Sequence, residues 1–331
     1  MQIFHSIEEV PIDFGPSVVT IGNFDGVHQG HQAVLKEVIE RARGLHVRCV
    51  AVTFDPHPVR VVRPEIPLRL ITQQGQKLDW LAHTGIDAVL VLPFTRSLSR
   101  LTAREFARTI LRDALKAVEV HEGENFRFGA DAGADVGELS SLGEEFGFKV
   151  RIHSPTHRRG TIVSSSIVRA AIAAGNMRAA RQLLGRPFEI ISTPAPGRGY
   201  GSRYTVPTIN LAPYQELLPA NGVYITCLEL NGGLFESVTN VGNRPTFGDE
   251  SFAMETHILD FHPIPLDQAT QLRLRFLDRI RAEIAWPSPD ALKQQIGKDV
   301  ACARHYFALY HALSGLNSQT LNQMKTPSSL L

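Results

Sequence analysis

Short apolar runs alternate with helical patterns through the first 185 residues. Residues 16–22 (PSVVTIG) read as a buried strand, and 31–43 (HQAVLKEVIERAR) carry Val34, Leu35, Val38 and Ile39 at helical spacing. The same alternation continues with RCVAVTF (48–54), a helical stretch over 73–85, DAVLVLPF (87–94), a helical stretch over 102–111, and AVEVHEG (117–123). Strands regularly separated by helices predict a parallel sheet with helices on both faces. Such sheets bind ligands beyond the carboxyl ends of their strands, and residues 22–31 fall there.

The rhythm changes after LLGRP (183–187). Residues 187–285 are rich in Gly, Pro and Asn, and short runs such as GVYITCLEL and ESVTNVG are separated by turns such as NGG at 231–233. This pattern predicts antiparallel β structure, either a barrel or a sandwich. A helix restarts near Ser288, a plausible N-cap followed by Pro289, with Leu292, Ile296, Val300, Ala303 and Phe307 as one apolar stripe. The expected division is therefore 1–185, 186–313 and a polar tail over 314–331.

Composition narrows the function classes. The 331 residues carry a formal net charge of +1, so there is no basic footprint for a nucleic-acid partner. Apolar residues at 43% and charged residues at 20% suit a globular chain able to fill two cores. Cys49, Cys227 and Cys302 are too scattered for a disulfide framework or a CxxC metal knuckle. The sequence contains no secretory pattern and no stretch of about 18 apolar residues, so the expectation is a cytoplasmic protein without a membrane partner.

TIGNFDGVHQGH (20–31) is where chemistry is expected. A turn between strand and helix offers free backbone N–H groups and the positive end of a helix dipole. Gly22, Gly26 and Gly30 let backbone approach a phosphate, and His28 and His31 can donate to its oxygens. Asp25 is expected to orient a histidine or a magnesium ion. The plainer alternative is a Gly-rich turn whose histidines merely cap the helix.

GNFDGVHQGH resembles the nucleotide-binding signature of HxGH adenylyltransferases, and in particular that of bacterial bifunctional riboflavin kinase/FAD synthetases. Further segments follow in that family's order: TFDPHP (53–58), LITQQGQKLDWL, VLPFT, GENFRFG (123–129) and SSSIVRAAIAAGNMRAARQLLGRPF, then VPTINL, PANGVY, NVGNRPTFG and METHILDF. The resemblance runs from about residue 15 to 310. It implies a Rossmann-like adenylyltransferase domain over 1–185, making FAD from FMN and ATP. Over 186–313 it implies an antiparallel β-barrel with a C-terminal helix, phosphorylating riboflavin to FMN.

The resemblance also implies roles. His28 and His31 would act catalytically on the ATP phosphates, with Gly22, Asn23, Phe24 and Gly26 lining the nucleotide. Ser165, Ser166 and Arg169 would form the second jaw of the ATP clamp, while His57, Asn125 and Phe126 would contact flavin. Read by itself, His57 between two prolines more often marks an ordinary surface turn. In the second half, Thr208 and Asn210 would ligate Mg2+ on ATP with hard oxygens. Glu255 would be the general base on the ribityl hydroxyl. Alternation along a strand puts Glu255 and His257 on one face and Thr256 on the other. Gly197, Gly199 and Gly201 would shape a phosphate loop, and Arg244, Pro245 and Thr246 would cover the flavin. The expected partners are riboflavin, FMN and ATP, and the expected assembly a monomer or weak homo-oligomer.

Two departures from the family pattern bear on the kinase half. Thr205-Val206 stand where Gly-Phe is usual, and Ile209 where alanine is usual. They leave open an alternative: an FAD synthetase whose second domain binds flavin but phosphorylates poorly. In the first half Ser166 replaces a usual threonine and keeps its hydroxyl.

Overall fold

A computed structural model describes residues 1–195, 208–243, 252–260, 266–284 and 286–314. The chain divides into two compact units, Met1–Ser165 and Ser166–Leu331. Among the described residues no helix is long and apolar enough to cross a membrane.

In the first unit, β1 (Gln2–Phe4) and β2 (Ser17–Ile21) precede α1 (Gln29–Leu45) and β3 (Arg48–Asp55). Then come α2 (Pro58–Val62), α3 (Gln74–His83), β4 (Ala88–Pro93) and α4 (Ala103–Phe106), which runs on into a π-helical segment, Ala107–Ala114. β5 (Ala117–Gly123), α5 (Val136–Phe146), β6 (Lys149–His153) and the small ribbon β7 (His157–Arg158) and β8 (Thr161–Ile162) complete it. The sheet order is β1-β4-β3-β2-β5-β6, parallel throughout.

Alternation along the strands builds two cores. Val19, Ile21, Val50, Val52, Leu90 and Leu92 face Phe106, Ile110, Leu111 and Leu139 of the α4–π and α5 layer. Val18, Cys49, Ala51, Val89 and Val91 face Leu35, Val38 and Ile39 of α1 and Leu81 of α3. The expected layers of helix, sheet and helix are therefore present. Chain order reverses between β2 and β5, so the crevice at their carboxyl ends is the switch point where ligands bind in open α/β sheets.

The second unit begins with α6 (Ser165–Ala173, of which Ser165 closes the first unit) and α7 (Met177–Leu184). It continues with β9 (Phe188–Ser192), β10 (Ile209–Leu211), β11 (Gly222–Leu230), β12 (Gly233–Asn243), β13 (Phe252–Ile258), β14 (Leu272–Ala282) and α8 (Pro289–Ser314). The antiparallel order is β10-β13-β12-β11-β14-β9. Pro194, just past β9, bridges Leu211 of β10, so the two edges meet and the sheet closes as a barrel rather than a sandwich. Asn231 (φ 49°) and Gly232 (φ 77°) make the tight β11–β12 hairpin that NGG announced.

Thr226, Ser237, Thr239 and Thr256 hydrogen-bond one another in series at 2.8–2.9 Å on one side of the sheet. On the other side, Val223, Ile225 and Val238 pack against Ala303 and Phe307 of α8. Ser288 Oγ accepts from the Ala291 N–H at 3.2 Å, so the predicted cap starts the helix. The predicted stripe holds at Ala303 and Phe307, but Leu292 is 36% exposed, because the first turns of α8 overhang a cavity instead of a core.

Candidate functional site

Three segments reach the carboxyl edge of the first unit's sheet from the adjacent strands β3, β2 and β5. They are His57 after β3, residues 22–31 after β2, and Asn125–Phe126 after β5. His28 is the N-cap of α1, and its Nδ1 accepts from the His31 N–H at 3.3 Å. A neutral ring accepting at Nδ1 carries its proton on Nε2, so His28 presents a donor at the helix N-terminus. The two imidazoles stack at 3.6 Å and 13°, and Phe24 meets His31 edge-on at 5.2 Å. A Cβ on Gly30 would come within 3.2 Å of the His28 ring, so glycine there makes room for this stack.

The turn is strained, with Phe24 (φ 48°), Gly26 (φ 81°) and Val27 (φ 38°) all in the left-handed region. Asp25 is buried and its Oδ1 accepts from the Ile71 and Thr72 N–H groups at 2.9 and 3.2 Å. Thr72 Oγ1 in turn accepts from the Gly26 N–H at 3.1 Å. The Asp25 carboxylate thus clips the turn to residues 71–72. Ser165 Oγ donates to the Asp25 carbonyl at 3.0 Å. Ser166 and Arg169 follow on α6, in the second unit.

His57 caps α2, its Nδ1 accepting from the Val59 N–H at 3.2 Å, as in the plainer reading of a proline-flanked histidine. Asn125 is exposed, and half-buried Phe126 stacks on Phe128 with centroids 5.4 Å apart. Asn125 and Phe126 thus offer a polar edge and an aromatic face beyond β5.

Two buried groups near the turn escaped the sequence pattern. The Lys77 ammonium on α3 lies against Thr53, Phe54 and Asn23, and burial pulls its pKa down to about 8 against the opposing pull of Asp55 and Asp25. The Glu122 carboxyl, 3% exposed, accepts from the Ile21 N–H at 2.5 Å where β2 and β5 part. Burial raises its pKa well above the usual carboxylate value, with the Ile21 hydrogen bond opposing.

A carboxyl whose folded pKa is raised contributes its full stability below the unfolded value of about 4.3 and loses it as pH rises through the folded value. Glu122→Gln keeps an oxygen for Ile21 and does not titrate. Denaturant unfolding should therefore show it more stable than wild type at pH 8–9, with the gap closing towards pH 5. Glu122→Ala should be less stable by about 1–3 kcal/mol at pH 5, because the Ile21 N–H loses its acceptor. A pH-independent gap for Glu122→Gln would contradict this account.

In the second unit, the register aligns Asn210 with Glu255, Glu255 with Asn240, Asn240 with Val223, and Val223 with Arg281. Residues in one such row share a face and stand about 5 Å apart between Cβ atoms of neighbouring strands. Glu255 and His257 line a cavity of about 390 Å³ together with Thr208 and Asn240, whereas Thr256 is buried on the opposite side, as alternation predicted.

The opposite wall comes from Ile284, Trp286, Leu292 and Ile296. Arg281 pins α8 over it, with Nη2 2.8 Å and Nε 3.1 Å from the buried Asp299 carboxylate. The lining thus combines oxygen-bearing side chains with apolar ones, which suits a ligand with both a phosphate and a flat ring. Among the described residues no cluster of three or more His, Cys, Asp or Glu is placed to hold a metal. The oxygens of Thr208, Asn210 and Glu255 are nonetheless hard donors suited to Mg2+. Gly197, Gly199, Gly201, Arg244, Pro245 and Thr246 lie outside the described residues.

Comparison with known proteins gives concordant matches for both units. A family model described as FAD synthetase matches residues 11–167, and one described as riboflavin kinase matches residues 184–307. A bifunctional riboflavin kinase/FMN adenylyltransferase from Pseudomonas fluorescens is 36% identical over 306 residues, covering 92% of this chain and 97% of the relative. Its counterpart in Escherichia coli K12 is 34% identical, covering 92% and 96%. A solved structure described as a macrolide-efflux protein from Streptococcus pneumoniae superimposes with a TM-score of 0.82 at 28% identity, covering 91% of this chain and 98% of that one.

Proposed function

Because this chain belongs to the bifunctional riboflavin kinase/FMN adenylyltransferase family, we propose that the two sites just described divide its two reactions between them. The enzyme phosphorylates riboflavin to FMN with ATP, and transfers an adenylyl group from ATP to FMN, giving FAD and pyrophosphate. We assign the synthetase activity to residues 1–185 and the kinase activity to 186–313. A cytoplasmic enzyme, monomeric or weakly self-associating, fits this chemistry.

In adenylyl transfer a phosphate oxygen of FMN attacks the α-phosphorus of ATP and pyrophosphate departs. Such a reaction draws mainly on positioning and charge stabilisation. His28 Nε2–H, His31 and the turn N–H groups stand at the positive end of α1 to hold the polyphosphate as charge builds on it. Asn23, Phe24, Gly22 and Gly26 line the nucleotide, Asn125 and Phe126 take the flavin, and His57 fixes the neighbouring turn. The roles of Ser166 and Arg169 on the nucleotide rest on the family resemblance.

In the kinase reaction the ribityl 5′-hydroxyl attacks the γ-phosphorus of ATP, the bond from that phosphorus to the β–γ bridging oxygen breaks and ADP leaves, and Glu255 accepts the hydroxyl proton. Mg2+, when bound, neutralises phosphate charge; the Thr208 hydroxyl and the Asn210 amide oxygen are the groups to hold it. The apolar wall of Trp286, Leu292 and Ile296 holds the flavin ring away from water. The reading that the second unit only holds flavin is not favoured. The observation that carries the kinase assignment is Glu255 on a cavity that Thr208 also lines, with Asn210 its register partner on the adjacent strand.

The test is a magnesium titration of FMN formation. Thr208→Ala should shift the half-maximal Mg2+ concentration upward by roughly tenfold or more, as loss of a ligand does. The titration of FAD formation from FMN should not move. An unshifted titration of FMN formation removes Thr208 from the metal site.

A further inference from the structure

We propose that Lys77 is a positioning residue for adenylyl transfer, its ammonium tying the ends of β2 and β3 together and so fixing the phosphate turn. Lys77 Nζ donates to Thr53 Oγ1 at 3.1 Å, to the Phe54 carbonyl at 3.3 Å and to the Asn23 carbonyl at 3.4 Å. Thr53 Oγ1 also donates to the Asn23 carbonyl at 3.3 Å, closing a triangle among α3, β3 and the turn. An ammonium has three N–H groups, and all three are spent on protein oxygens. Lys77 therefore acts through Asn23 and not by touching phosphate.

Three of the four residues Phe24–Val27 have left-handed backbone, and such a turn keeps its shape only where its surroundings over-determine it. One segment does this at both ends. Residues 71–72 hold Asp25 and Gly26, and Lys77, one turn into α3, holds Asn23. The start of α3 is itself fixed, since the buried Gln76 accepts from the Gln73 N–H at 3.0 Å in a capping box. Asn23 opens the turn that ends at His28, so a shift at Asn23 re-aims the N–H groups and the imidazole together.

A lysine 7% exposed is an expensive way to fill a core, because a buried charge must be paired or solvated by dipoles. Here two carbonyls and a hydroxyl solvate it, while Asp25 and Asp55 are the charged groups that face it. With a pKa of about 8, its charge is lost within a pH range that an assay can reach.

This inference rests on the assignment of the turn to adenylyl transfer, so His28→Ala is run beside it. FAD formation from FMN is measured between pH 6.5 and 9.5 for wild type, Lys77→Met and Lys77→Gln, with circular dichroism melts of each. Wild-type kcat should fall above pH 8, as the ammonium titrates. Both Lys77 variants should lose about 10- to 100-fold in kcat at pH 7, with KM for ATP moving less than threefold, and neither should show the limb near pH 8. FMN formation from riboflavin should be unchanged.

A folded Lys77 variant with kcat within threefold of wild type overturns the proposal. So does a wild-type profile flat to pH 9.5, which decides the matter even if both variants fail to fold. If His28→Ala keeps FAD formation, the assignment of the turn itself fails. If His28→Ala loses it and folded Lys77 variants do not, only the role of Lys77 falls.

Discussion

His28→Ala should lower kcat/KM for FAD formation by about 10²- to 10³-fold, the cost of removing one aligned donor from a developing charge. FMN formation from riboflavin on the same chain should be untouched. The alanine variant alone is ambiguous, because His28 also caps α1 through Nδ1, and loss of a cap costs about 1 kcal/mol of stability. His28→Asn separates the two effects. Asparagine is a good N-cap and can accept the same N–H of His31, but it places no donor where Nε2 stands. The asparagine variant should recover the melting temperature and remain as inactive as alanine. Activity returning with the cap would mean that His28 only starts the helix, which is the plainer reading of a Gly-rich turn with two histidines.

What was legible in the sequence was local. The period-2 alternation of β2, β3 and β4 sorted their side chains onto two cores, and the helical spacing in 31–43 named Leu35, Val38 and Ile39 as the buried face of α1. Ser288 as a cap, NGG as a hairpin, and Glu255 with His257 opposite Thr256 all follow from rules that span a few residues. The groups that escaped depend on distant partners. Lys77 sits among Gln76, Leu78 and Asp79 and reads as the polar face of an amphipathic helix; only the meeting of α3 with the ends of β2 and β3 buries it. Glu119, His121 and Glu122 interrupt a strand that a parallel sheet normally fills with apolar residues. Glu119 is accounted for by Arg41, Arg151 and His121, which come from three different elements. Asn240 and Arg281 join the row of Glu255 only through the register of β11, β12, β13 and β14, which no local pattern encodes.

That row carries the second large prediction. Glu255→Gln should reduce FMN formation by at least about 10²-fold, the range that a positioned general base supplies. FAD formation from added FMN should stay at the wild-type rate, since the synthetase reaction is assigned to the other unit's sheet edge. Glutamine is nearly isosteric, so the pairing with Asn210 and Asn240 along the row and the hydroxyl chain behind it are kept. Riboflavin binding, followed by quenching of flavin fluorescence, should also persist, because the apolar wall of Trp286, Leu292 and Ile296 is untouched. Retained binding with lost turnover is the signature of a group that acts on the reacting hydroxyl rather than on affinity. Undiminished FMN formation would remove Glu255 from the proton-accepting role. Binding and turnover falling together would show that its carboxylate serves to hold the flavin instead.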